Sequence, residues 1–282
     1  MSNKRITNAM SVDVEDYFQV SAFESVIDRA SWDNLECRVE RNTHKALALF
    51  DEAGIKATFF VLGWVADRYP ALVREIVENG HELASHGYSH SRITTLDKKQ
   101  FRDEVRTSKA ILEDLGSVKV KGYRAPSYSI VASTLWAHEI LAEEGYRYSS
   151  SVYPIKHDLY GIPDASRFKY EIPALDLTEI PVSTVEIYGR NFPCGGGGYF
   201  RLFPYRLSRW AIERVNQGEG NPCNFYFHPW ELDPEQPRQE KIPLKTRFRH
   251  YLNLRRMESR LQRLLKDFSW GTMEGVYLGA SK

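Results

Sequence analysis

Two histidines four residues apart, His86 and His90, are the side chains of this sequence best suited to binding a metal. Imidazole is the commonest protein ligand for zinc-like metals, and one helical turn between the two would aim both rings at a common point. Carboxylates that could complete the site are concentrated at Asp13, Glu15 and Asp16. Two imidazoles and one carboxylate hold a divalent cation and leave a position for water, which is the layout of a hydrolytic site. The alternative is a pair of unrelated surface or capping histidines.

The elements that must position these groups alternate along the first two thirds of the chain. Strands are predicted over 9–14, 56–62, 82–85, 119–124, 146–152 and 224–228. Helices are predicted over 38–53, 67–79, 97–115, 133–144, 204–217 and 246–267. Such alternation implies a parallel sheet or barrel, in which active residues collect at the C-terminal ends of the strands. The stretch 154–198, with five prolines, is expected to form loops and short antiparallel pieces.

Composition narrows the class of protein. The 282 residues are 42% hydrophobic and 27% charged, which suits one large α/β domain or two small ones. A net charge of +1 gives no reason to expect a nucleic-acid or membrane-surface partner. No apolar run is long enough to span a membrane or to form a signal peptide, so a cytoplasmic protein is expected. Three cysteines without a C-x-x-C pair suggest neither a disulfide framework nor a cysteine zinc site.

Two further side chains stand where predicted strands end. Arg124 can pair with a buried carboxylate and hold it ionised, although an ordinary surface arginine before a turn is the alternative. His228 ends the last predicted strand and could equally be a hydrogen-bonded core histidine. Aromatic residues make up 13% of the chain, which fits either a sugar-binding cleft or a large core.

Taken together and in order, these patches resemble the polysaccharide deacetylase family, carbohydrate esterase family 4. The residues that carry the resemblance are Asp13-Val14-Glu15-Asp16, His86-Gly87-Tyr88-Ser89-His90, Arg124-Ala125-Pro126-Ser127-Tyr128 and Phe227-His228. The resemblance covers roughly residues 8–232. The run from His228 to Pro234 and the glycine-rich segment 192–203 resemble the deacetylases encoded with bacterial exopolysaccharide and exosortase loci. The family implies a distorted or incomplete (β/α) barrel of about seven parallel strands, here over 1–235, with a helical extension over 236–282 packed on the same domain.

The resemblance also implies roles for the candidate residues. His86, His90 and a carboxylate would hold a divalent metal, with zinc as the expected ion. Glu15 is the expected carboxylate because it stands two residues after Asp13, and positions i and i+2 of an extended chain share a face. Asp16 is the alternative. Asp13 would be the catalytic base, Arg124 would orient it, and His228 would be the acid. The family's usual acidic partner for this histidine is missing from the expected region 148–151, so that partner stays open.

The implied substrate is an N-acetylated amino sugar of a bacterial exopolysaccharide or its precursor. Tyr128, Trp230 and Tyr199 are the candidate sugar-contacting residues, and a backbone N–H near Tyr128 would stabilise the oxyanion. Two other readings remain open at this point. One is another amide hydrolase of the same superfamily, allantoinase-like or a formyl-sugar deformylase. The other is a glycan-binding protein without catalytic activity.

Overall fold

Short apolar runs form the strands of a curled sheet in the computed structural model, which describes residues 5–157 and 160–279. The strands are β1 (Thr7–Val14), β2 (Thr58–Val61), β3 (Glu82–Ser85), β4 (Gly122–Tyr123), β5 (Tyr148–Ser149), β6 (Tyr170–Glu171), β7 (Thr178–Glu179), β8 (Thr184–Ile187), β9 (Arg190–Pro193), β10 (Asn224–Phe227) and β11 (Ser269–Gly271). The main sheet has the order β10-β1-β2-β3-β4-β5-β7-β6, and β11 also pairs with β1. All neighbours from β10 to β7 are parallel. This arrangement confirms the predicted incomplete barrel of about seven parallel strands.

Helices cross over between successive parallel strands, as the βα alternation requires. They are α1 (Val39–Ala53), α2 (Gly63–Arg68), α3 (Pro70–Glu78), α4 (Lys98–Gly116), α5 (Ala137–Glu143), α6 (Gly197–Leu202), α7 (Tyr205–Glu213), α8 (Leu244–Tyr251), α9 (Leu254–Asp267) and α10 (Met273–Tyr277). None of the helices in the described ranges has the length and apolar character needed to cross a membrane.

Two predicted helices are each divided in the structure. The one expected over 67–79 is interrupted at Tyr69, which lies between α2 and α3; Pro70 starts the second helix because a residue before proline avoids the α region. The one expected over 246–267 is two helices, because Asn253 is left-handed with φ 53° between α8 and α9. Asparagine tolerates that conformation better than most residues.

The C-terminal extension is not only helical. Its strand β11 pairs with β1 through Thr7 and Ala9, opposite Ser269 and Gly271. Four of the five buried residues of α9, among them Leu261, belong to the main apolar core. The ends of the predicted domain ranges, residues 1–4 and 280–282, lie outside the described residues.

Candidate active site

The carboxyl ends of four parallel strands bring the chemistry-bearing residues to one cleft. Asp13 is the last residue but one of β1, and Glu15 directly follows that strand. His86, Arg124 and His228 directly follow β3, β4 and β10. The cleft has a volume of about 320 Å³. Its lining includes Asp13, Glu15, His86, His90, Tyr128, Tyr160, Arg201, Tyr226, His228, Trp230, Thr246, Arg249 and His250.

Glu15, His86 and His90 form a buried group whose ligand atoms all lie within 4.8 Å of one another. His90 Nε2 is 2.6 Å and His86 Nε2 3.9 Å from Glu15 Oε2. That oxygen accepts no hydrogen bond within the described part of the chain although it is fully buried. Burial raises the pKa of Glu15, but the imidazoles of His90 and His228 outweigh it and hold the pKa well below its usual range. Three donor atoms converge on one point, and a carboxylate there stays ionised.

His86 and His90 do not share a helical turn, so that prediction is wrong. Residues 86–92 form a loop in which Gly87 (φ 78°) and His90 (φ 55°) are both left-handed. The loop is held by Glu104, whose Oε2 accepts hydrogen bonds from the Tyr88 and Ser89 N–H groups at 3.0 and 2.9 Å. A left-handed non-glycine residue costs conformational energy, and such strain collects at functional sites.

The orientation of His86 is fixed by a backbone carbonyl. Its Nδ1 lies 2.9 Å from the Arg124 carbonyl oxygen, so Nδ1 donates and the Nε2 lone pair faces Glu15. Metal-binding histidines commonly have their second nitrogen bonded in this way, which sets the tautomer.

Asp16 points away from this group. Its Oδ2 accepts from the Arg38 and Val39 N–H groups at 2.5 and 2.8 Å, at the start of α1, and its Oδ1 accepts from Tyr17 N–H at 2.8 Å. Burial raises the pKa of Asp16 to about 6. Its role is therefore to satisfy the first N–H groups of a helix, and Glu15 is the carboxylate that lies with the two histidines.

Asp16→Ala is expected to lower the free energy of unfolding by about 1–3 kcal/mol, because it leaves buried N–H groups without an acceptor. Metal content per folded molecule should not change. Denaturant unfolding and elemental analysis of the same preparation check both statements. Loss of the metal without loss of stability would mean that Asp16 rather than Glu15 is the ligand.

Asp13 is held by a fully buried arginine. Arg124 Nη1 donates to Asp13 Oδ1 at 2.6 Å and to Ser11 Oγ at 2.9 Å, while Nη2 donates to Ser150 Oγ at 3.1 Å. The region 148–151, where the family would have an acid, thus supplies Ser150 to Arg124 instead. Asp13 Oδ2 is left facing His228 Nε2 at 4.0 Å.

The partner of His228 is Glu231, which the sequence analysis missed. Glu231 Oε1 lies 2.9 Å from His228 Nδ1, and its Oε2 accepts from Arg201 Nε at 2.5 Å. Glu231 and Arg201 are both buried. Burial raises the pKa of Glu231, but Arg201 and His228 lower it to about 2. Burial lowers the pKa of His228, but Glu15, Glu231 and Asp13 raise it to about 9.

A local sequence pattern could have predicted Glu231, because an acid three residues after His228 has the spacing of a helix-capping pair. The Glu231 carboxylate also accepts from His228 N–H at 3.0 Å, the reciprocal geometry of a helix-capping pair. No comparable sequence pattern marked Arg201, which lies in α6 within the glycine-rich segment 192–203. Gly197 is needed there, since a Cβ on it would meet Glu231 Oε1 at 2.2 Å.

The three predicted sugar-contacting aromatics have different surroundings. Tyr128 lines the cleft, and its buried hydroxyl has no hydrogen-bond partner among the described residues. Tyr199 stacks on Phe203 and is not among the residues that line the cleft. Trp230 lines the cleft, but it stacks between the imidazoles of His228 and His250, so its faces are not open to a sugar. Instead its Nε1 donates to Glu15 Oε1 at 3.2 Å.

The backbone N–H of Tyr128 is not free to bind an oxyanion. It donates to the Ala125 carbonyl oxygen at 3.0 Å within a 3₁₀ turn. The expectation that a backbone N–H near Tyr128 stabilises the oxyanion stays a prediction, and it would have to be met by a neighbouring N–H.

Comparison with known families divides the chain into two matched stretches. Residues 30–149 match the polysaccharide deacetylase family, and residues 150–278 match a domain of unknown function, DUF3473. The first stretch holds His86, His90 and Arg124, and the second holds His228. Asp13 and Glu15 precede both, so only the fold joins them to the rest of the cleft.

Curated relatives match part of the chain. The peptidoglycan-N-acetylglucosamine deacetylase of Bacillus cereus is 33% identical over 98 residues, which is 34% of this chain and 36% of that protein. The chitooligosaccharide deacetylase of a Bradyrhizobium species is 33% identical over 101 residues, 36% of this chain and 43% of that protein. The match therefore spans less than half the length of these curated relatives.

The similarity of fold extends over most of one solved structure. A candidate polysaccharide deacetylase from Mycobacterium smegmatis superposes with a TM-score of 0.64 and 19% identity, covering 98% of this chain and 90% of that one. A similarity at this identity concerns the fold. The sequence match over 30–149 and the shared barrel agree with the motifs that first suggested a family. The stretch 30–149 therefore belongs to the polysaccharide deacetylase family.

Proposed function

We propose that the protein hydrolyses the acetamide of N-acetylated amino sugars, releasing acetate and a free amine on the glycan. The observation that carries the proposal is the position of Asp13 and His228 beside the Glu15, His86 and His90 group. His228 Nε2 lies 4.0 Å from Asp13 Oδ2 and 3.6 Å from Glu15 Oε1. A base and an acid thus flank one prospective cation site, as amide hydrolysis requires.

The residues present fit a divalent metal. Glu15, His86 and His90 would hold it, since they offer two imidazole nitrogens and a buried carboxylate oxygen that lacks a hydrogen bond. Zinc is the ion we propose, because that donor set suits it. When bound, such an ion would act as a Lewis acid toward the amide carbonyl and lower the pKa of a nearby water.

The side chains of this protein move the protons. Asp13, oriented by Arg124, takes the proton of the attacking water through its free Oδ2. Arg124 is inaccessible to solvent and makes several hydrogen bonds, so it fixes the carboxylate without competing for that proton. His228 gives a proton to the departing nitrogen, because an amine leaves only once it is protonated.

We further propose that the glycan is a bacterial exopolysaccharide or its precursor. The support is the resemblance of the glycine-rich segment 192–203 and the run from His228 to Pro234 to deacetylases encoded with bacterial exopolysaccharide loci. The same two stretches hold Arg201 and Glu231, which lie behind the acid. Tyr128 is proposed as the sugar contact, since it lines the cleft and its buried hydroxyl has no hydrogen-bond partner among the described residues.

The function is tested by measuring bound metal and then acetate release from N-acetylhexosamine oligomers with and without a chelator. Activity that disappears with the metal and returns when zinc is added back supports the proposal. Poly-N-acetylglucosamine, peptidoglycan fragments and chitooligosaccharides, assayed in parallel, rank the substrates. Release of formate from N-formyl sugars, with no acetate from any acetylated oligomer, would instead favour a deformylase.

Glu231→Gln is expected to lower kcat and to move the alkaline limb of the kcat–pH profile to lower pH. The carboxylate of Glu231 raises the pKa of His228, and an acid catalyst works only below its own pKa. We expect kcat at neutral pH to fall by about 10–100-fold, the effect typical of removing a supporting carboxylate. A pH–rate profile from pH 5 to 10 measures the shift. An unmoved alkaline limb with lower kcat would assign Glu231 a structural role.

A further inference from the structure

A concentration of positive charge lies beside the cleft, although the whole chain is nearly neutral. The segment 238–256, called here the basic segment, contains seven Lys or Arg residues and one acidic residue, Glu240. All 282 residues together carry a net charge of +1. Its cations are all exposed: Arg238, Lys241, Lys245, Arg247, Arg249, Arg255 and Arg256. The ion pairs nearby are made by Arg201, Arg209 and Arg263. Among the described residues, none of the seven cations is in an ion pair.

The helix α8 within this segment has a second unusual feature, an apolar face open to solvent. Leu244 and Phe248 are 82% and 58% exposed. They are four residues apart and so lie on one face of the helix. Thr246, Arg249 and His250 line the cleft. Since two residues along a helix turn by about 200°, Leu244 and Phe248 face away from the cleft, on the outside of its wall.

The helix is fixed in this position. Ile242 before it and Leu254 after it are buried in one apolar cluster with Trp230. His250 stacks on Trp230 at 4.2 Å and contacts Gln236 Oε1 through Nε2 at 2.6 Å. The apolar pair therefore cannot turn inward without breaking contacts that also support Glu15 through Trp230.

We propose that the outer face of α8 binds an anionic lipid surface and holds the mouth of the cleft beside the membrane. A helix with exposed Leu and Phe flanked by Lys and Arg is suited to lie in the headgroup region, with its apolar side chains inserted. A polyanionic glycan would match the charges but would leave Leu244 and Phe248 in water. A second copy of this chain would bring like charges together. The net charge of the whole chain conceals this surface, which is why composition gave no reason to expect it.

The test is co-sedimentation of the purified protein with vesicles of phosphatidylglycerol and phosphatidylcholine in equal parts, against vesicles of phosphatidylcholine alone. At low salt we expect at least about tenfold stronger partitioning to the anionic vesicles, as several cations near such a surface give. The double variant Leu244→Ser, Phe248→Ser should lose most of that binding, and so should Lys245→Glu, Arg247→Glu. Deacetylation of a soluble oligosaccharide should be unchanged in all of them, which also reports folding.

Matched controls lie on other helices of the barrel. Leu135→Ser removes a leucine that is 46% exposed before α5, and Lys99→Glu reverses an exposed charge on α4; neither should change vesicle binding. Failure of the native protein to bind anionic vesicles at low salt would overturn the proposal. So would vesicle binding that survives the Leu244 and Phe248 double variant. Equal binding to soluble polygalacturonate, dependent on the charges alone, would assign the surface to a glycan instead.

Discussion

His86→Ala is expected to lower acetate release by at least about 10³-fold and to reduce the bound metal to a small fraction of one ion per chain. His86 supplies one of three converging donor atoms, and a Lewis acid contributes several kcal/mol to such a reaction, where each 1.36 kcal/mol is tenfold in rate. Elemental analysis and an acetate assay on one preparation measure both quantities.

The control for this variant is His44→Ala. His44 is 45% exposed and pairs with Glu75 on the outside of the barrel, so metal content and activity should stay at native levels. His90→Ala should lower metal content and activity as His86→Ala does. It leaves the hydrogen bond between His86 Nδ1 and the Arg124 carbonyl in place, so the loss is not caused by breaking that bond. Native metal content in both His86→Ala and His90→Ala would refute the proposed ligand set.

Asp13→Asn is expected to lower kcat by about 10²–10⁴-fold, the usual contribution of a general base. Asparagine keeps an oxygen for Arg124 Nη1 but cannot accept the proton of water through Oδ2. Bound metal should remain, since Glu15, His86 and His90 are untouched. Steady-state kinetics and metal analysis of the variant test these expectations together.

A comparison with His228→Asn separates the base from the acid. An acetate ester of 4-nitrophenol needs no protonation to depart, so His228→Asn should lose far more activity on the acetamide than on the ester. Asp13→Asn should lose both. Asp103→Asn, an exposed acid on α4, serves as the unchanged control. Hydrolysis of acetamides by Asp13→Asn at the native rate would show that Asp13 is not the general base.

Local sequence patterns were enough to predict six strands, β1 to β5 and β10, and the residues at their ends, but not β7 or β11. The run 82–85 is a strand with the predicted bounds, because its apolar residues are bounded by Gly80 and the histidine loop. The rule that active residues collect at the carboxyl ends of parallel strands then brought together groups as distant as Asp13 and His228. The contact of Arg124 with Asp13, which the family resemblance implied, is present in the structure.

The features that could not be predicted depend on tertiary context. The loop that carries the left-handed His90 is held by Glu104 of the following helix, through the N–H groups of Tyr88 and Ser89, and no local pattern contains that contact. Trp230 looked like a sugar platform until packing put His228 and His250 against it. The pairing of Arg201 with Glu231 joins residues thirty positions apart inside the part of the chain with the weakest patterns.

The pairing of β1 has a consequence for how the chain is made. β1 is synthesised early, but it lies between β2 and β10, and its first residues also pair with β11. Ala9 is opposite Asn224 and Gly271. Contacts so distant along the chain form slowly and late, and domains fold as units during synthesis. The pairing of β1 is therefore complete only after residues 224–227 and 269–271 have been synthesised, and a nascent chain that stops before them would leave one edge of β1 unpaired.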